Sequence, residues 1–171
     1  EIGQLEWYLP QSERVLQADA NYAVGDVVNP WAKADRPPIA VVGSGPAGLT
    51  AALRLAQEGY PVTVLEQLPV PGGMMAVGIP DYRMPRDLLQ READVITALG
   101  VEIEYGVKLG RDVSLRELKE QYDAVFLGTG AFKSKPMGVE GEDQGYDGFS
   151  EGGIHYLRKV ALGEPIETPP R

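Results

Sequence analysis

Three glycines, Gly43, Gly45 and Gly48, are spaced G-x-G-x-x-G directly after the apolar run Ile39-Ala40-Val41-Val42, and a carboxylate, Glu66, closes the next apolar run. That combination can hold a dinucleotide. Gly43 permits a tight turn off a strand, and Gly45 lets a pyrophosphate approach the backbone. Gly48 lets the following helix lie close to the sheet, with its N-terminal N–H groups facing phosphate oxygens. Ser44, Pro46 and Ala47 complete the turn and share the site. Glu66 falls 18 positions past Gly48, where a carboxylate accepts hydrogen bonds from both hydroxyls of an adenosine ribose. Its charge repels a 2′-phosphate, so the pattern favours FAD or NAD over NADP at this position.

Other chemistries find no support. His155 is the one histidine and falls on a predicted helix, and no Ser-His-Asp order, carboxylate pair or Walker lysine is present. The acidic stretch 140–151 lacks the spacing of a calcium loop and reads as a solvated loop. Cysteine is absent, which excludes disulfides, thiolate metal sites, iron–sulfur ligation within this chain and a redox dithiol. No catalytic side chain and no metal ligand is therefore assigned.

The elements that must position these residues follow from periodicity. Residues 39–42 have the continuous apolar character of a strand buried on both faces of a parallel sheet. Leu49, Ala52, Leu53 and Ala56 predict a helix over 46–58, and 62–66 a second strand, which together make a βαβ unit. Residues 67–85 read as a long Gly/Pro-rich loop without regular structure, whose Met74, Met75, Val77 and Ile79 argue against disorder. A helix over 86–99, a strand over 101–104 and a short helix near 115–119 capped by Ser114 follow. A further strand over 124–127, again expected to be fully buried, leads into Gly128-Thr129-Gly130, and a last helix covers 154–162. The expected fold is α/β and Rossmann-like: a parallel central sheet with a ligand cleft at its C-terminal edge. Residues 1–36 form a helical, Pro-punctuated lead-in with Trp7 and Trp31 as packing anchors, 37–163 the nucleotide-binding domain, and 164–171 a linker.

Composition narrows the setting. The formal net charge of −9 repels phosphate backbones, so nucleic acid is a poor partner. A hydrophobic fraction of 43% suits a packed core, and no stretch approaches the ~20 apolar residues of a membrane helix. A soluble, cytoplasmic chain without a membrane span is expected. The 21 glycines and 14 prolines in 171 residues suggest tight turns and close backbone approaches.

Pro46-Ala47 within the turn, with the later strand ending in Gly128-Thr129-Gly130, resembles the flavoproteins that carry two dinucleotide-binding domains. In that superfamily the first fingerprint holds FAD, and the Thr-Gly turn passes near the flavin and its diphosphate. Pro71-Gly72-Gly73-Met74 and Gly78-Ile79-Pro80-Asp81-Tyr82-Arg83-Met84-Pro85 are more specific. They resemble the FAD/NADPH subunit of glutamate synthase and its relatives, the flavin domain of dihydropyrimidine dehydrogenase and the NADH-dependent ferredoxin:NADP oxidoreductases. The likeness runs from about residue 38 to 163. It implies that Gly73 and Met74 line the cofactor through backbone groups, that Arg83 supplies a cation near the diphosphate and flavin, and that Leu109 gives a backbone contact at the adenine end. Thr129 and Gly130 join them. The implied activity is electron transfer from NAD(P)H through FAD to an iron–sulfur protein or a larger oxidoreductase subunit.

Two departures stand out. Residues 1–36 lack the cysteine clusters of those relatives, and no second G-x-G-x-x-G/A follows for NAD(P)H. The chain is therefore expected to be the front half of an FAD domain, with NAD(P)H held by a domain absent from it. Apolar surface around 74–79 should then lie exposed until another domain or a partner covers it. The alternatives are a non-catalytic flavin-fold fragment or assembly subunit, and an FAD-dependent oxidase. The oxidase reading is weakened because Met74, not Arg, follows the Gly-Gly pair.

Overall fold

The computed structural model describes residues 35–136, 138–142 and 152–167. Residues 1–34 of the expected lead-in over 1–36, most of the acidic stretch and the end of the linker lie outside the described residues.

Four parallel strands form one sheet: β1 (Ile39–Val42), β2 (Val62–Glu66), β3 (Glu102–Tyr105) and β4 (Ala124–Leu127), in the order β3-β2-β1-β4. In register, Ile39 sits opposite both Val62 and Ala124, and Thr63 opposite Glu102. Parallel neighbours need crossovers, and helices supply them. α1 (Pro46–Gln57) joins β1 to β2, α3 (Arg86–Ala98) precedes β3, and α4 (Leu115–Gln121) joins β3 to β4. Pro46 opens α1 at a position where its missing N–H costs nothing, and Gly59, at φ +90°, ends it with its N–H on the Ala56 carbonyl. α4 begins with a reciprocal cap: the Glu117 carboxylate accepts from the Ser114 N–H at 2.7 Å, and Ser114 Oγ accepts from the Glu117 N–H at 3.2 Å.

The central strands alternate their side chains between two apolar layers. Val41, Val62 and Val64 pack with Leu49, Ala52 and Ala56 of α1 and Ile96 of α3. On the opposite face, Ala40, Val42 and Leu65 pack with Leu118 of α4. Each buried valine- or leucine-sized side chain stabilises the fold by roughly 1.5–3 kcal/mol.

Three expectations need correction. β4 is not buried on both faces: it is an edge strand with β1 as its neighbour, and Phe126 and Leu127 are 40% and 53% exposed. An apolar run reports strand character, not the number of neighbours a strand finds. The 67–85 segment is not structureless, because Met74–Val77 forms one helical turn, α2. Nor is its apolar side bare. Ala76 and Val77 are buried, and a third cluster with Leu68 and Leu89 gathers Met74, Met75, Phe132 and the Ala161 and Leu162 side chains of α5 (Gly152–Leu162) over it. Among the described residues, no helix is long and apolar enough to cross a membrane.

Leu118 is 1% exposed and supplies the α4 contact to the sheet. Leu118→Ala should lower unfolding free energy by about 2–5 kcal/mol, the range for deleting a buried leucine. A urea midpoint shift corresponding to less than about 1 kcal/mol would mean that α4 does not seal this face.

Candidate functional site

Every crossover delivers a loop to the C-terminal edge of the sheet, and there the glycine turn sits. Gly43 has φ +100°, and a Cβ on it would fall 2.4 Å from the Gly128 carbonyl oxygen. The ends of β1 and β4 therefore meet backbone to backbone. A Cβ at Gly48 would lie 1.8 Å from the Gly43 oxygen, so the first turn of α1 rests directly on the turn before it. Gly45 differs. Its φ of −71° suits any residue, and the nearest atom to a Cβ there is Gly73 Cα at 3.9 Å. Among the described residues, nothing requires glycine at 45. What lies beyond it is open cleft.

Glu66, at the end of β2, is 3% exposed. Its Oε2 accepts from the Ser44 N–H at 2.7 Å and from Ser44 Oγ at 2.6 Å, and its Oε1 accepts from the Leu68 N–H at 2.7 Å. A carboxylate has about four acceptor positions, so about one is left for a ligand. The expectation that Glu66 serves both ribose hydroxyls is thereby narrowed: most of its capacity binds the glycine turn to β2.

The excursion after β2 returns to the same place. The Gly72 N–H donates to the Ser44 carbonyl at 2.9 Å, and Gly73, at φ +55°, sits so close that a Cβ would lie 2.9 Å from Gly45 Cα. Opposite, the Val107 N–H donates to the Glu66 carbonyl at 2.9 Å. The turn after it is held by Asp112, which accepts from the Lys108 N–H at 2.8 Å. Arg111 beside it, and that N–H, hold the Asp112 carboxyl below the usual carboxylate range.

These loops enclose a cleft of about 600 Å³. Gly43, Gly45, Pro46, Ala47, Glu66, Gly73, Met74, Leu109, Thr129 and Gly130 line it, as their sequence positions suggest. Ser44 and Gly48 are buried behind its wall. Arg83 is not brought in: it is an exposed residue of the turn after Pro80 and does not line the cleft. Gln67, Val107, Lys108 and Phe132 line it without having been singled out in the sequence. The first three follow directly on β2 and β3, and the rule that ligands meet the carboxyl ends of strands would have found them. Phe132 carries no local signal. His155 does not line this cleft; it lines an adjoining cavity with Lys133, Lys135 and Arg158. Among the described residues, no group of three or more His, Cys, Asp or Glu could hold a metal ion.

Comparison with known proteins agrees with this architecture. Residues 37–168 match a family described as pyridine nucleotide-disulphide oxidoreductase. The chain is 59% identical over 129 residues to the NADPH-Fe(3+) oxidoreductase subunit beta of Geobacter sulfurreducens, covering 74% of this chain and 19% of that one. It is 38% identical over 105 residues to the glutamate synthase [NADPH] small chain of Escherichia coli, covering 61% of this chain and 22% of that one. Among solved structures, Mycobacterium tuberculosis FprA in complex with NADPH superposes with a TM-score of 0.59 at 28% identity, over 72% of this chain and 28% of that one. The chain thus spans about a fifth of the length of these curated relatives.

Two substitutions test the packing. Glu66→Gln turns an NH₂ toward protein donors and should cost about 1–3 kcal/mol in denaturant unfolding at neutral pH. Gly48→Ala forces a Cβ into the Gly43 carbonyl and should cost at least about 3 kcal/mol. A Gly48→Ala protein of wild-type stability would show that α1 does not rest on the turn as described.

Proposed function

The chain belongs to the pyridine nucleotide-disulphide oxidoreductase family, and from that premise we propose that its cleft binds FAD as the flavin part of an NAD(P)H-dependent oxidoreductase. Gly45 carries the reading. It is glycine where neither backbone conformation nor packing requires one, at the mouth of the cleft and beside the N-terminus of a 12-residue helix. A dinucleotide diphosphate needs that space and those N–H groups. Bound FAD supplies the redox chemistry, taking a hydride and releasing single electrons, and the protein supplies binding and orientation.

The residues present fit that cofactor. The first-turn N–H groups of α1 would hold the diphosphate across Gly45. Glu66 offers its remaining acceptor position to a ribose hydroxyl, and its charge disfavours a 2′-phosphate there. Leu109 and Val107 offer backbone groups at the adenine end, while Gly73, Met74, Thr129 and Gly130 offer a close backbone wall to the rest. The implied role of Arg83 at the diphosphate would need its loop to move. The flavin-binding part runs over 37–163, bounded by linkers, in a cytoplasmic setting.

Reduction would come from NAD(P)H bound by a further domain. One glycine fingerprint occurs in the 171 residues, and hydride transfer needs flavin and nicotinamide together, with reacting atoms about 3–3.5 Å apart. The names of the relatives support the donor, and their designation as a beta subunit and a small chain supports delivery to a larger assembly. The acceptor in this reading is an iron–sulfur protein. The family's dithiol chemistry has no counterpart here, since the chain contains no cysteine.

Gly45→Ala discriminates binding from folding. Its Cβ meets no protein atom closer than 3.9 Å, so the variant should unfold at the wild-type midpoint while its FAD affinity, read by flavin fluorescence titration, falls by at least about tenfold. Undiminished flavin content would overturn the assignment of the cleft. With NADPH added anaerobically, the FAD-loaded 171-residue chain should bleach no faster than free FAD; faster bleaching would place a hydride-donor site within these residues.

A further inference from the structure

Among the described helices, the one in the cleft wall opposite the glycine turn is the shortest. α2 is four residues long, far below the length at which a helix sustains itself. At its start it is fixed by the turn: the Gly72 N–H bonds the Ser44 carbonyl, and Gly73 Cα faces Gly45. At its end, the Gly78 N–H takes the Met74 carbonyl at 2.9 Å. The Met75 carbonyl is an orphan of a helix too short to use it.

Arg86 supplies the missing donors. From the first turn of α3 it reaches back, with Nη1 donating to the Met75 carbonyl at 2.8 Å and Nη2 to the Ile79 carbonyl at 2.7 Å. Asp81 steadies the same residue by accepting from the Arg86 N–H at 3.2 Å. The guanidinium fork is planar and rigid, so two bonds from it fix the orientation of a segment as well as its position.

We propose that Arg86 is a positioning residue for the cofactor: by clamping α2 from behind, it sets the distance between the Gly73 and Met74 wall and the glycine turn, and hence the width of the site. The inference rests on the FAD reading above. Gly73 and Met74 line the cleft, and Met75, Ile79 and Arg86 do not, so the clamp acts through one turn of backbone and touches no ligand. A lysine delivers one point charge where the fork delivers two directed bonds, and it restores the geometry only in part.

The test uses the complete 171-residue chain, FAD as the probe, and the variants Arg86→Gln and Arg86→Lys. Arg91→Gln is the control, because it removes a cation from the same helix at an exposed ion pair with Asp87. In flavin-free protein, Arg86→Gln should speed amide exchange over residues 74–78 and leave β1 and β2 unchanged. It should weaken FAD binding by about tenfold and alter the visible circular dichroism of bound flavin, with Arg86→Lys intermediate and Arg91→Gln at wild type. Faster exchange with wild-type FAD affinity and spectrum would overturn the proposal, leaving Arg86 a staple of the loop alone. If Arg86→Gln does not fold, wild-type affinity and spectrum in Arg86→Lys overturn it equally. Failure of the wild-type chain to bind FAD would instead remove the FAD reading, and unaltered exchange at 74–78 in Arg86→Gln would then still reject the clamp.

Discussion

A buried carboxylate at the end of β2 is costly unless donors surround it, and three protein donors converge on Glu66. Two come from Ser44, in the middle of the glycine turn, and one from Leu68, the first buried residue of the excursion. The backbone carbonyl of the same residue receives the Val107 N–H. One position therefore ties together the loops after β1, β2 and β3. If the carboxylate were withdrawn, the Ser44 and Leu68 donors would lose their partner, and the loops after β1 and β2 would lose their tie, while the backbone bond from Val107 would remain.

Around that anchor the glycines divide by what they do. Gly43, Gly48 and Gly73 are close-packing glycines: a Cβ at any of them would fall within 3 Å of backbone. They let β1, α1, β4 and the excursion approach at distances that side chains forbid. Gly45 is a space-keeping glycine: among the described residues, no neighbour needs it small. The first group makes the cleft and the second leaves it open. Both are needed for a phosphate to reach the helix N-terminus, because the helix must be close to the strand and the path to it must be clear.

The excursion between β2 and α3 converts a Gly/Pro-rich stretch into a wall by borrowing structure from elsewhere. Its backbone is held on one side by Ser44 and on the other by Arg86. Its apolar residues are covered by Leu89 of α3 and by Ala161 and Leu162 of α5. Apolar surface stays open at Tyr82 within the excursion and on β4, at Phe126 and Leu127.

The sequence by itself determined the elements and the motif. The run of four apolar residues at 39–42, the β-branched-rich stretch at 62–66, helical spacing in 46–58 and 86–99, and a capping serine at 114 are local properties, and local propensity together with burial pattern forces the same structures. The βαβ order with its glycines and Glu66 also pointed to the cleft that these residues line, since backbone chemistry at a strand–helix turn is written in consecutive residues. Tertiary structure decided what depends on neighbours distant in the chain. It made β4 an edge although its residues read like those of β1, because exposure depends on which strands pair beyond it. It gave 74–77 a helical turn that four residues could not hold alone, because the donors came from Arg86 and the cover from α5. It also turned Glu66 largely inward onto Ser44 and Leu68, and it left Arg83 outside the cleft while Phe132 moved in. Hydrogen-bond partners and cavity walls are set by where a side chain ends in space, and residue type and spacing fix that only within a single element.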